Sequence, residues 1–224
     1  MRFPGFGLRG FAVLAASVLA IVAGPALAAA GPTPASVVGV YDGGQMEVAA
    51  GLEIRADGTF RFALSYGAMD EEAAGHWAIQ GDRVILTSDP VVAPAYVVVS
   101  QKPGDPEVLR VIMDSRDADE QQNFQALITR ADGGVEGVQL GVDGLSWSFA
   151  PSAPPTSVRL LLGVYGVTSA ALPLSPAAGY LVHYRFVPND LGKVAFRGAP
   201  ATITDDGLAL DFHGGVIKFR RVRR

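Results

Sequence analysis

Turn signals recur along this chain too closely for helices to fit between them. Asp57-Gly58, Gly81-Asp82, Asp143-Gly144 and Gly214-Gly215 are two-residue reversals of the kind that join antiparallel strands. The segments between them alternate. In 59–65 (TFRFALS), Phe60, Phe62 and Leu64 share one face, which is the two-residue period of a half-buried strand. Related runs stand at 52–56, 75–79, 83–87 and 96–100. Beyond a break at 102–106 (KPGDP) they continue at 108–113, 124–129, 135–140, 145–149, 158–167, 180–187, 194–197, 201–204, 208–212 and 216–222. Asp57-Gly58 reads as a type I′ hairpin turn. No window carries an apolar stripe at i, i+3, i+4, i+7 without Gly, Pro or a β-branched residue intruding, and 69–75 (MDEEAAG) has room for one helical turn only. The expectation is an all-β, antiparallel fold.

Composition narrows the chemistry. With 224 residues, 49% hydrophobic and 18% charged, the chain is too apolar for disorder and long enough for one large domain or two small ones. A net charge of −4 supplies no field for nucleic acid, so no nucleic-acid partner is expected. The absence of cysteine excludes disulfides, cysteine–zinc sites, thiol catalysis and a lipoprotein anchor. Imidazole chemistry is confined to His76, His183 and His213.

Residues 1–30 read as a secretory signal peptide. Arg2 and Arg9 precede an apolar run at 11–24, Gly24-Pro25 breaks it, and Ala26-Leu27-Ala28 gives the small-x-small pattern of a cleavage site after Ala28 or Ala30. The run is shorter than the ~20 residues a membrane-spanning helix needs. A periplasmic or secreted protein with no stable membrane span after cleavage is therefore expected.

Within 52–86 the order is strand, Asp57-Gly58-Thr59-Phe60, strand, Tyr66-Gly67, an acidic patch, Gly75-His76-Trp77, Gly81, then Val84-Ile85-Leu86. This order resembles the lipocalin-like meander domains of bacterial envelope proteins, which implies an antiparallel meander or small barrel over 35–101. The copper motif of that family needs two cysteines and does not carry over. Past the KPGDP break, Leu109 to Ile112, an acidic turn at 114–119, Phe124 to Thr129, Asp132-Gly133, Asp143-Gly144 and Ser148-Phe149 resemble the transthyretin-like sandwich of carboxypeptidase regulatory domains. That resemblance implies a β-sandwich over 106–224 and an accessory role. The run Asp205-Asp206-Gly207-Leu208-Ala209-Leu210 repeats the rhythm of 81–100, so a return of 190–224 to complete the first domain is the alternative.

The segment 66–77 (YGAMDEEAAGHW) is the most unusual. Tyr66, Asp70, Glu71, Glu72, His76 and Trp77 form a candidate ligand site at the open end of the meander, since small barrels bind at their mouths. It is read as a loop between two strands. Asp114, Asp117, Asp119 and Glu120 lack the glycine and ligand spacing of a calcium loop and read as an exposed acidic turn. Alternation puts His183 and Arg185 on one strand face; Tyr180, Tyr184 and Trp147 are an alternative aromatic binding face. No Gly-x-Ser-x-Gly or phosphate-loop motif is present, and no catalytic residue, metal or cofactor is assigned. The expected function is a non-catalytic envelope binding or accessory module, acting on a small ligand or an envelope protein. The alternatives are a carrier of an apolar ligand or metal, and a hydrolase or metal enzyme built on a histidine–carboxylate pair.

Overall fold

The computed structural model describes residues 32–114 and 118–223. The leader read in 1–30 and residues 115–117 of the acidic turn lie outside these. A short helix, α1 (Pro34–Val37), leads into β1 (Gly39–Asp42), β2 (Val48–Ile54), β3 (Thr59–Tyr66), β4 (Met69–Gln80) and β5 (Arg83–Ser88). The chain then builds β6 (Ala95–Lys102), β7 (Val108–Asp114), β8 (Phe124–Arg130), β9 (Val135–Gln139), β10 (Leu145–Ser148), β11 (Pro155–Leu162), β12 (Val167–Thr168), β13 (Leu172–Pro173) and β14 (Leu181–Val187). It finishes with β15 (Arg197–Ile203), β16 (Gly207–Phe212) and β17 (Gly215–Arg221).

The fold is all-β, and β1-β17-β16-β15-β5-β4-β3-β2 close into an eight-stranded antiparallel barrel. That architecture is compatible with a lipocalin-like meander. The remaining strands form two sheets, β10-β7-β14-β6 and β9-β8-β11-β12 with β13 also on β11, that share a second core. Strand membership divides the chain differently from a cut near residue 101. β6 pairs with β14 rather than with the barrel, and the three last strands close the barrel that the first five begin. The sheets from β6 to β14 are thus an insertion between β5 and β15.

Alternation decides which residues fill the barrel. Phe60, Phe62 and Leu64 are buried from β3, Leu52 and Ile54 from β2, Val84 and Leu86 from β5, and Leu208 and Leu210 from β16. Phe62 meets Phe196 and Phe212 at centroid separations of 5.3 Å and Phe219 at 6.4 Å. Edge-on aromatic contacts of this kind add about 0.5–1.5 kcal/mol each beyond their buried area.

Three local expectations change. Residues 69–75 form the first half of the twelve-residue β4, not a helical turn or a loop, because each pairs across to β3 from Tyr66↔Met69 to Phe60↔Gly75. The reversal at Asp57-Gly58 is not type I′, which needs positive φ at both central residues. Only Gly58 has it, at 85°, while Asp57 Oδ1 accepts the Thr59 N–H at 2.9 Å and fixes an Asx-type turn. The single strand read at 158–167 ends at Leu162, where a 3-10 turn (Gly163–Tyr165) intervenes before β12.

The insertion is strapped to the barrel at the end of β4. Only Gly75 onward pairs with β5, so the early part of β4 has a second edge to satisfy. The return segment supplies it. Glu72 N–H donates to Gly192 O at 2.9 Å, and Val194 N–H donates to Glu72 O at 2.8 Å. Gly192 has φ 83°, and a Cβ there would lie 2.8 Å from Asp70 O, so the close crossing requires glycine. Ser88 Oγ donates to Val194 O and accepts from Phe196 N–H, which delivers the buried Phe196 ring into the barrel core. Outgoing and returning segments also bind each other: Asp190 Oδ2 accepts the Val92 N–H, and Asn189 Nδ2 donates to Ala93 O.

The barrel seam between β1 and β17 is short, with Tyr41↔Arg221 and Asp42↔Arg220 in register. Tyr41 reinforces it. Its buried hydroxyl donates to Val37 O at 2.6 Å and accepts from Arg221 Nη2 at 2.9 Å. Tyr184 in the second core is the converse. Its phenol, pushed up to about 12 by burial, lies beside Ser169, whose Oγ is engaged with Leu160 N–H and Ala170 O, and it completes no hydrogen bond. Replacing Tyr41 by Phe should therefore cost about 1–3 kcal/mol, whereas Tyr184→Phe should be neutral within about 0.5 kcal/mol or stabilising. Urea midpoints of the two variants check this.

Candidate functional site

The six residues expected to converge do not form one site, because strand geometry separates them. Along β4 the inward positions include Glu71, Ala73 and Trp77, while Asp70, Glu72 and His76 point outward. Tyr66 is exposed at the end of β3. Asp70 Oδ1 accepts from Ser65 Oγ at 2.6 Å. Trp77 packs on the barrel core and its Nε1 donates to Arg55 O at 2.9 Å. His76 is exposed, with its nearest carboxylate, Asp89, 3.9 Å away. Glu72 lines a polar hollow of about 450 Å3 with Arg61, Asp89 and Lys193 on the outer face of the barrel.

Glu71 is the exception at the mouth. Its side chain is 13% exposed, and its Oε2 lies 2.7 Å from His213 Nε2. His213 follows β16, holds φ 49°, and packs tilted against Phe212 at a centroid distance of 4.0 Å. This pair caps one end of a barrel whose interior is occupied by the phenylalanine cluster. The alternative aromatic face is also rearranged: Tyr180 and Tyr184 are buried in the second core, and Trp147 donates to Glu136 from a half-buried position.

A larger cavity lies elsewhere. It measures about 830 Å3 and opens between the β3–β4 turn and the adjacent end of the inserted sheets. Ala68 contributes from the turn, Phe124, Leu162 and Val164 from the second sheet and the 3-10 turn, and Phe186 and Leu191 from β14 and the return segment. Its size falls within the roughly 300–1,000 Å3 of small-molecule pockets, and its predominantly apolar lining with few polar groups has the same character.

Among the described residues, Asp114 and Arg185 are the charged groups of that lining. The parallel pairing of β7 and β14 sets Asp114 opposite Arg185 and brings His183 to the same face. His183 Nε2 lies 2.6 Å from Asp114 Oδ1, and Arg185 donates Nε to Asp114 Oδ2 at 3.0 Å, with Nη2 paired to the same oxygen at 3.0 Å. Hydrogen bonds from His183 first and Arg185 second hold the Asp114 carboxyl below the usual carboxylate range. Arg185 Nη1 has no protein partner among the described residues. The His183–Asp114 contact is the histidine–carboxylate juxtaposition an enzyme reading requires, and Glu71–His213 is a second. Neither histidine has a hydrogen-bonded nucleophile among the described residues, and no group of three or more His, Asp or Glu there is placed to hold a metal ion. What this arrangement can do is hold an apolar body in the cleft and present a positive donor edge at its rim.

Sequence reading placed His183 and Arg185 on one face but missed the cleft. Parity of the β14 strand gave the first, whereas the parallel approach of β7 leaves no local signal. Compared with protein-family models, with curated proteins and with solved structures, the chain matches none. Among the described residues, no helix is long and apolar enough to cross a membrane.

The Asp114 cluster makes stability pH-dependent. A carboxyl whose pKa is lower in the folded than in the unfolded chain adds stability above its unfolded pKa, and loses it as pH falls through the folded value. Wild type should exceed Asp114→Asn in urea midpoint at pH 7, and the two should converge as pH falls below about 4. A gap that stays constant from pH 7 to pH 3 contradicts this role of the carboxylate.

Proposed function

We propose that this chain is an exported, non-catalytic binding module of the bacterial envelope, and that its ligand occupies the cleft between the β3–β4 turn and the inserted sheets. The cavity of about 830 Å3 carries the reading. Most of its lining side chains are apolar, and an apolar ligand gains about 25 cal/mol for each Å2 of surface it removes from water there. The barrel interior is filled by Phe60, Phe62, Phe196 and Phe219, which favours a site at the junction with the insertion over one at the meander's own mouth. The leader-like residues 1–30 support export, and the order of residues 52–86 supports kinship with lipocalin-like envelope modules.

Native mass spectrometry of the chain, produced in its own host and purified without detergent, tests the proposal. One apolar small molecule per chain is expected, and Val164→Trp should remove it. Val164 lines the cleft and is exposed, so the larger ring blocks the cavity without disturbing a core. A bare chain, or a bound mass that Val164→Trp leaves in place, contradicts it.

A further inference from the structure

The polar end of the cleft specifies the ligand more narrowly, an inference that rests on the binding reading above. We propose that the cleft takes an apolar chain ending in one anionic head, a carboxylate or a phosphate, and that Arg185 receives the head. The geometry is one-sided. Both oxygens of Asp114 are committed, Oδ1 to His183 at 2.6 Å and Oδ2 to Arg185 at 3.0 Å, so this carboxylate offers little to a cationic head. Arg185 spends only its Nε–Nη2 edge on Asp114 and remains 56% exposed at the cavity wall. A guanidinium has five N–H donors and accepts nothing, so Nη1 selects an acceptor, and an ionised acceptor most strongly.

Asp114 then acts as a positioning residue. Held at 3.0 Å from two guanidinium nitrogens, it fixes the plane of Arg185 and aims the remaining donors. His183 fixes the carboxylate in turn. Behind the head, Phe124, Leu162, Val164 and Leu191 line the space an alkyl chain would fill.

Calorimetric titration of the full chain with four twelve-carbon probes, each below its micelle-forming concentration, tests this. Dodecanoate and dodecyl phosphate carry the proposed head, 1-dodecanol has none, and dodecyltrimethylammonium has the opposite charge. One or both anionic probes should bind at least about tenfold tighter than dodecanol, and whichever is tighter identifies the head. Arg185→Gln should remove that preference, and Arg185→Lys should restore part of it. Val164→Trp should abolish binding of all four. Equal affinity for dodecanol and the anions, tighter binding of the ammonium probe, or indifference to Arg185→Gln overturns the ligand class. If Val164→Trp still abolishes binding in those cases, the cleft reading stands without it. Binding of none of the probes, or binding insensitive to Val164→Trp, overturns both.

Discussion

The backbone hydrogen bonds between the returning chain and the open edge of β4 are the constraint on which the rest of the structure depends. β4 is twelve residues long, but β5 covers only its second half. An uncovered edge in the first half would expose a row of unpaired N–H and C=O groups and leave the barrel wall incomplete. Gly192, Lys193 and Val194 cover it at Glu72, and Phe196 enters the core two residues later. The same passage places Leu191 against the cleft, so completing the barrel also builds one wall of the cavity. Barrel closure and the cavity wall are two consequences of one crossing.

Much of this architecture was legible in the residues. Alternation at 59–65 gave β3 and its inward phenylalanines, and the rhythm of 205–210 hinted at a return to the first domain. The early half of β4 was not legible. Asp70, Glu71 and Glu72 look like a solvated turn because two of the three acids face outward on a strand whose inward partners are the weakly telling Met69 and Ala73. Its extended form comes from pairing with Leu64, Ala63 and the returning chain, which propensity cannot see. The Asp57-Gly58 turn was misread for a related reason: the Asp57 carboxylate takes the Thr59 N–H and keeps Asp57 itself out of the positive-φ region.

The candidate site follows the same division. Proximity in sequence suggested six residues in one place, but a strand sends neighbours to opposite faces, and Glu71 and His76 end in different surroundings. The cleft draws instead on Ala68, Asp114, Leu162, Arg185 and Leu191, which are distant in sequence. Arg185 and His183 shared a face by parity, while Asp114 joins them only because β7 and β14 run parallel. Fold class is a property of short windows; this cavity belongs to the junction between the barrel and its insertion.

The most direct measurement is a methyl-resolved NMR titration of the full chain with an uncharged alkyl probe such as 1-dodecanol. Saturating shifts confined to Ala68, Leu162, Val164 and Leu191 are expected, with the barrel methyls of Leu52, Leu86 and Leu210 unmoved. Shifts centred on those barrel methyls would place the ligand inside the barrel and contradict the account, as would no shift at any methyl of the cleft.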